Sequence, residues 1–236
     1  MSTRYASLSK KNIWPMRLHL VQVCALLLCV GLLRCERAAG ETVTLDFDTT
    51  AVGSLPADFS TGLTGRGAPG TWRILKDPTA PSGNMGLAQT STDRTSYRFP
   101  LCVYGPLTAT DVAVSVRFKT VAGTVDQAAG LVVRFQDKDH YYIVRANALE
   151  DNVRLYKVEG GDRKQFAGEN VPVASGTWQR LTLDAQGTHF RVFLNDALLF
   201  EANDSTFQKA GKVGLWTKAD SVTYFDDLTI ASPPIR

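Results

Sequence analysis

The chain has 236 residues, 44% of them hydrophobic, enough to bury one good-sized core but too few to divide between two. Its formal charge of +3 is unevenly placed: Arg4, Lys10, Lys11, Arg17, Arg34 and Arg37 face a single acid, Glu36, in the first forty residues, so residues 41–236 hold twenty cations against twenty-two acids, a formal −2. That remainder lacks the dense Lys/Arg patch of a phosphate-binding protein, which excludes nucleic acid as the partner.

In chain order the first element is a targeting segment. Lys10, Lys11 and Arg17 precede "LHLVQVCALLLCVGLL" and then "RCERAAG", the charged, apolar and small-residue order of a secretory signal. An uncleaved anchor is the competing reading, but the apolar run falls short of the roughly 20 residues that cross a bilayer. Ala38 and Gly40 at the two small-residue positions predict cleavage after Gly40. Residues 1–40 are then a signal peptide and residues 41–236 a single domain, exported to the periplasm or the extracellular space and touching a membrane only through the uncleaved signal. Cys24, Cys29 and Cys35 leave with that segment, so Cys102 stands alone, makes no intrachain disulfide and reads as a small buried hydrophobe.

Beyond residue 40 no long 3.6-residue apolar period occurs. Short runs rich in Val, Thr, Tyr and Phe recur between Gly, Pro, Asp and Asn turns. They are "TVTLDF", "TWRIL", "MGLAQT", "DVAVSVRFK", "AGLVVRFQ", "HYYIVRANA", "NVRLYKV", "WQRLTLDA", "HFRVFLN", "ALLFEA", "GKVGLW" and "VTYFDDLTI". So many strands predict an all-β fold, a two-sheet antiparallel jelly-roll sandwich. The Gly- and Pro-rich stretch from Gly62 to Gly86 reads as the main irregular segment, lying over an edge or a sheet face. In "TYFDDLTI" Phe225 and Leu228 cannot both face inward on a regular strand, so a β-bulge is predicted at Asp226–Asp227.

Alternation along these strands picks out one polar face. In "HYYIVRANA" it places Tyr141, Ile143, Arg145 and Asn147 on one side and Tyr142, Val144 and Ala146, read as core, on the other. In "AGLVVRFQ" Leu131, Val133 and Phe135 read as buried, leaving Arg134 and Gln136 to neighbour Arg145 and Asn147. "VGLWTKAD" adds Trp216, Lys218 and Asp220 near a strand end. An aromatic platform flanked by Arg, Asn and Lys suits a sugar ring and its hydroxyls, so Arg134, Tyr141, Arg145, Asn147, Trp216 and Lys218 are the candidate substrate-binding residues. The competing view is that all are ordinary solvated side chains and that Trp216 packs under a loop.

The ordered segments "FDTTAVGSLPADF", "TWRILKDPTAPSGNMGLAQT", "AGLVVRFQDKDHYYIVRANALEDNVRLYKV", "GTWQRLTLDAQGTHFRVFLNDALLF" and "GKVGLWTKADSVTYFDDLTI" resemble a laminin-G/concanavalin A-like jelly roll. More narrowly they are similar to exported bacterial domains grouped as 3-keto-disaccharide hydrolase-like, or family 16 glycoside hydrolase-like. The resemblance implies a carbohydrate partner, with either binding or hydrolysis of 3-keto-glycosides. A scaffold or protein-interaction domain remains compatible with the same residues.

The Glu-x-Asp-x-Glu pattern that would place an acid and a nucleophile on one strand face is missing, which excludes ordinary retaining catalysis. No Gly-x-Ser-x-Gly elbow, His-Glu-x-x-His or phosphate loop is present. Cleavage beside a ketone needs only a general base and an electrophile for the enolate; His140, Tyr142 and Asp220 are the candidate catalytic residues, with Arg145 as a candidate partner for the enolate oxygen. Jelly rolls often hold calcium between their first and last strands, which makes Asp46, Asp48, Asp226 and Asp227 candidate calcium ligands, with the bulge as the alternative explanation of the last two.

Overall fold

A computed structural model of the chain describes residues 40–233; the signal segment read from the sequence lies outside them except for Gly40. Fifteen strands follow in order: β1 (Thr42–Leu45), β2 (Phe59–Gly65), β3 (Trp72–Lys76), β4 (Met85–Gln89), β5 (Arg98–Ala109), β6 (Val112–Ala122), β7 (Ala128–Asp137), β8 (His140–Asn147), β9 (Asn152–Glu159), β10 (Asp162–Asn170), β11 (Gln179–Gln186), β12 (His189–Leu194), β13 (Ala197–Asn203), β14 (Gly211–Trp216) and β15 (Val222–Ala231). They form two antiparallel sheets. One runs β13-β12-β11-β6-β15-β4-β3, with β1 also on β15; the other runs β10-β9-β8-β7-β14-β5-β2. No described residue is helical, and the predicted all-β sandwich is what the chain forms.

The core between the sheets follows from alternation. On β6, Val112, Val114, Val116 and Phe118 are buried, while Ala113, Ser115, Arg117 and Lys119 point outward. Tyr142, Val144 and Ala146 of β8 meet Leu131 and Val133 of β7 in the same core. The predicted bulge is present: the register of β15 against β6 slips between Asp226 and Thr229, Asp227 takes a φ of 49°, and Phe225 and Leu228 both reach the core.

A second bulge, with no mark in the sequence, redirects β7. Its register on β8 slips between Val133 and Asp137, and Arg134 adopts a φ of 51°. The phase reverses there. Phe135, expected in the core, joins the outer face beside Tyr141, and Arg134, expected on the outer face, turns toward the core rings of Tyr142 and Phe190.

Three strands escape the sequence pattern. β5 contains Pro100, Gly105 and Pro106, and its ladder with β14 jumps from Ala109 to Tyr104, so the Gly-Pro pair sits in an irregularity that the partner strand tolerates. β10 is a largely exposed edge strand with no apolar alternation to betray it. β2 opens the segment expected to be irregular, whose irregular parts are residues 77–84 between β3 and β4 and, between β2 and β3, the loop of residues 66–71. Fully buried Arg98 anchors that loop, donating to the carbonyls of Ala68 and Pro69 at 2.6 and 2.9 Å.

Both faces of the seven-stranded sheet are covered. Phe99, Leu101, Val132, Tyr141, Ile143, Tyr156, Val158 and Trp216 form a second cluster on its outer side. Tyr97 and Arg163 close over it: the Tyr97 hydroxyl donates to the Gly161 carbonyl and accepts from the Arg163 N–H, each at 3.0 Å, and the Arg163 guanidinium lies 4.4 Å from the Tyr156 ring centre and 4.6 Å from that of Phe99.

Candidate functional site

At one end of that outer face the apolar cluster gives way to charge. Arg145 of β8 sits opposite Gly130 of β7, whose missing side chain is required: a Cβ there would lie 2.9 Å from the Val144 carbonyl oxygen and 3.2 Å from the Cβ of Trp216. The guanidinium is 2% exposed. Its Nη2 donates to Glu150 Oε2 at 2.8 Å and to Asn152 Oδ1 at 2.5 Å, and its Nε is buried without a hydrogen-bond partner among the described residues. Glu150, on the β8–β9 turn, is 44% exposed and forms the rim. Burial alone would raise its carboxyl, but the Arg145 guanidinium, Asn152 and Lys218 hold it below the ordinary range.

Lys218 joins the two halves of the site, contacting the Asp126 carboxylate and approaching Glu150 Oε1 at 3.8 Å. Asp126 is almost fully buried and receives the Asn147 side-chain amide at 2.8 Å; its burial pushes its carboxyl up despite Lys218 and Arg145. Asp220 holds the loop that delivers Asp126, accepting from the backbone N–H groups of Thr124, Val125 and Asp126 at 2.8 to 3.0 Å. Two cations, three acids and two side-chain amides thus converge from β8, β9, the turn between them and two loops. Tyr156 lines the same face, its ring centre 5.7 Å from the Arg145 guanidinium carbon.

The sequence-predicted residues divide accordingly. Arg145, Asn147 and Lys218 are brought together. Tyr141 shares the face but is fully buried, its hydroxyl 2.8 Å from that of Thr64. Trp216 is fully buried beneath Phe99 and Arg163 and so is not an open platform for a sugar. Arg134 does not belong to the site; its guanidinium donates to the carbonyls of Thr110, Phe207 and Gly187 at the far end of the core.

The catalytic candidates do not meet. His140 sits at the opposite end of β8 from Asn147, paired with Asp137 at 2.9 Å. Tyr142 faces the core and donates to Asp204 at 2.6 Å, and Asp220 is committed to its loop. Glu150, Asn152, Asp126, Tyr156 and Arg163 are the residues that sequence reasoning missed. Hairpin register carries a signal for two of them, since Asn152 pairs with Asn147 and Arg163 with Val158.

The calcium candidates lie elsewhere. Asp46 and Asp48 follow β1 rather than sitting on it, separated by Phe47 at a φ of 62°. Asp48, Asp226 and Asp227 gather around residues 82–84, where Asp226 accepts the Ser82 N–H, Asp227 the Ser82 hydroxyl and Asp48 the Asn84 N–H. Gly83 allows this, for a Cβ would fall on the Asp48 carboxylate. Among the described residues no three His, Cys, Asp or Glu side chains are disposed to hold a metal ion, and the carboxylates are turned to protein donors instead.

Residues 95–211 match a known domain family, the β-xylosidase C-terminal concanavalin A-like domain. The fold is a concanavalin A-like sandwich. In sequence, 107 residues are 30% identical to levanase of Bacillus subtilis (strain 168); the match takes in 44% of this chain but only 15% of the levanase. In structure, the sandwich superposes on the carbohydrate-binding module CBM66 from Bacillus subtilis with a TM-score of 0.58 and 23% identity, over 74% of this chain and 96% of that one. Domain 4 of AbnA, an extracellular arabinanase from Geobacillus stearothermophilus solved with arabinotriose, superposes with a TM-score of 0.54 and 13% identity, over 84% of this chain and 95% of that one.

Proposed function

We propose that this sandwich is an exported carbohydrate-binding domain that holds a glycan at the Arg145–Glu150–Asn152–Lys218 cluster. The observation that carries the proposal is the state of Arg145: a guanidinium withdrawn from water, with an N–H left over, behind a carboxylate that remains half in solvent. Unpaired buried donors are costly, and a ligand hydroxyl reaching Nε as Glu150 swings outward supplies the missing acceptor. Neighbouring sugar hydroxyls both donate and accept, and the site sets Arg145 and Lys218 as donors beside Glu150 and Asn152 as acceptors. The levanase, CBM66 and arabinanase relatives lend support, since their names attach them to carbohydrate and, for the arabinanase, to export.

Hydrolysis of 3-keto-glycosides asks for a base beside an electrophile; with His140, Tyr142 and Asp220 each engaged in a different place, the arrangement favours binding. Calorimetric titration with arabinotriose, xylotriose and a fructose trisaccharide tests the proposal. Saturable binding to at least one, lost in Glu150→Gln and Arg145→Ala, is the expected result; silence toward all three overturns it.

A further inference from the structure

The outer face of the other sheet carries a separate cavity of about 330 Å³, lined by Lys76, Asp77, Lys119, Val121, Gly176 and Tyr224. Lys119 projects from β6 next to Tyr224 of β15, its directly paired neighbour. Its ammonium lies 5.5 Å from the Tyr224 ring centre and 5.1 Å from that of Trp178, so one cation is held between two aromatic rings. The same ammonium contacts the Asp77 carboxylate and donates to the Thr79 hydroxyl at 2.9 Å; Asp77 also accepts the Thr79 N–H at 2.9 Å, and the Trp178 indole N–H donates to that hydroxyl at 3.2 Å. Trp178 lies across the sheet over Gly86, whose Cβ position is 3.8 Å from the indole. Asp77, Thr79, Lys119 and Trp178 are thus tied to one another, which fixes the orientation of the indole.

We propose that this cavity is a second saccharide-binding site, taking one or two rings of a neutral glycan on the face opposite the Arg145 cluster. Its volume is at the lower end of ligand pockets, about 300–1,000 Å³. Tyr224 offers a ring face to the C–H side of a sugar, and Asp77 and Lys119, side by side, offer an acceptor and a donor to adjacent hydroxyls. Lys119 is already neutralised by Asp77, and the remaining cation of the lining, Lys76, is exposed to solvent, so a neutral sugar can settle without stranding a buried charge. Val121 at the rim is 43% exposed, and a Cβ on Gly176 would meet nothing within 4 Å, so the mouth is open. Two sites on opposite faces let one domain bridge two glycan chains, raising its apparent affinity for a polysaccharide over that for a short oligosaccharide.

The inference shares with the proposed function only the premise that the ligand is a sugar. Amide chemical shifts followed during titration with arabinotriose, xylotriose and a fructose trisaccharide separate the two. Expected are saturable shifts at Val121 and Gly176 in the wild type and in Arg145→Ala, weakened at least tenfold in Tyr224→Thr and in Val121→Arg, while shifts around Glu150 persist in both of those variants. Tyr224→Thr keeps a residue suited to an exposed strand position, and Val121→Arg blocks the mouth from an exposed site, so a folding defect in one leaves the other to report. The second site is overturned if Val121 and Gly176 stay silent with all three sugars, or if their shifts are unaffected by both variants. Shifts at Gly176 with silence at Glu150 would uphold this site and refute the first.

Discussion

Arg145 and Arg154 stand directly opposite each other on β8 and β9, two guanidinium side chains in register on one face of the sheet. Like charges so placed destabilise a strand pair. The repulsion is spread by turning the two apart: Arg145 toward Glu150 and Asn152, Arg154 toward Asn170 Oδ1 at 2.5 Å.

Removing Arg145 therefore relieves one unfavourable pairing while it breaks a favourable one. Glu150, being 44% exposed, rehydrates instead of being stranded, and Lys218 remains beside it. Arg145→Ala also removes a side chain that is 2% exposed and leaves the buried Asn152 side-chain oxygen without its donor, so a cost of about 1–3 kcal/mol is expected. Saccharide binding should nonetheless be lost, and Arg145→Lys should not restore it, because an ammonium lacks the planar fork. A melting curve and a ligand titration on each variant decide the matter. A large loss of stability with affinity intact would make Arg145 a structural residue.

Arg134 should behave in the opposite way. Its fully buried guanidinium satisfies the carbonyls of Thr110, Phe207 and Gly187 and lies over the rings of Tyr142 and Phe190. Arg134→Ala strands three acceptors at about 1–3 kcal/mol each, so a loss of about 3 kcal/mol or more is expected in urea denaturation. Any sugar affinity should be unchanged at a temperature where the variant stays folded; a coupled loss of binding would return Arg134 to the site.

These two arginines show what the sequence can and cannot carry. Period-two alternation is enough to place Arg145 and Asn147 on one face, and Phe225 with Leu228 forces a bulge between them because two apolar residues at odd spacing must both be buried. Around Arg134, Leu131, Val133 and Phe135 alternate without a flaw, so the phase reversal there leaves no trace in the pattern. Trp216 fails for a different reason. Whether a sheet's outer face meets solvent depends on what lies over it, and Phe99 and Arg163, which cover Trp216, come from strands far from it in the sequence. Asp126 likewise reaches the site only through a loop tied to Asp220.

Cys102 is fully buried in the core, and that burial pushes its thiol far above the ordinary range. A thiol-reactive dye is expected to label it only at the rate of global unfolding, and reductant should leave the melting temperature unchanged. Labelling within seconds under native conditions would show that the core beside Leu215 opens locally.

Stability is expected to depend on pH through Asp226. Burial, with the nearby Asp227 and Asp48 carboxylates adding to it, pushes its carboxyl up to about 6, although the Ser82 and Asp227 N–H groups pull the other way. Because the folded value lies above the unfolded value of 3.8, the folded protein keeps a proton that the unfolded chain gives up between about pH 4 and 6. The stabilising contribution of this group is therefore full below about pH 4 and is lost as pH rises through 6. Two pK units correspond to about 3 kcal/mol as an upper figure. Asp93 and Asp204, lowered to about 2, act in the opposite sense but in a more acidic window, and Asp126, also raised by burial, acts in the same sense, so Asp226 has to be isolated by a variant. Asp226→Asn sacrifices one of the two amide hydrogen bonds at every pH yet cannot titrate. The stability of the wild type relative to this variant, from urea denaturation at several pH values, should thus fall between pH 4.5 and 7 and level off above. A flat difference would mean that Asp226 is already ionised in the folded protein at pH 4.5, and a rise of the wild-type curve on adding calcium at pH 7 would instead place a cation among Asp48, Asp226 and Asp227.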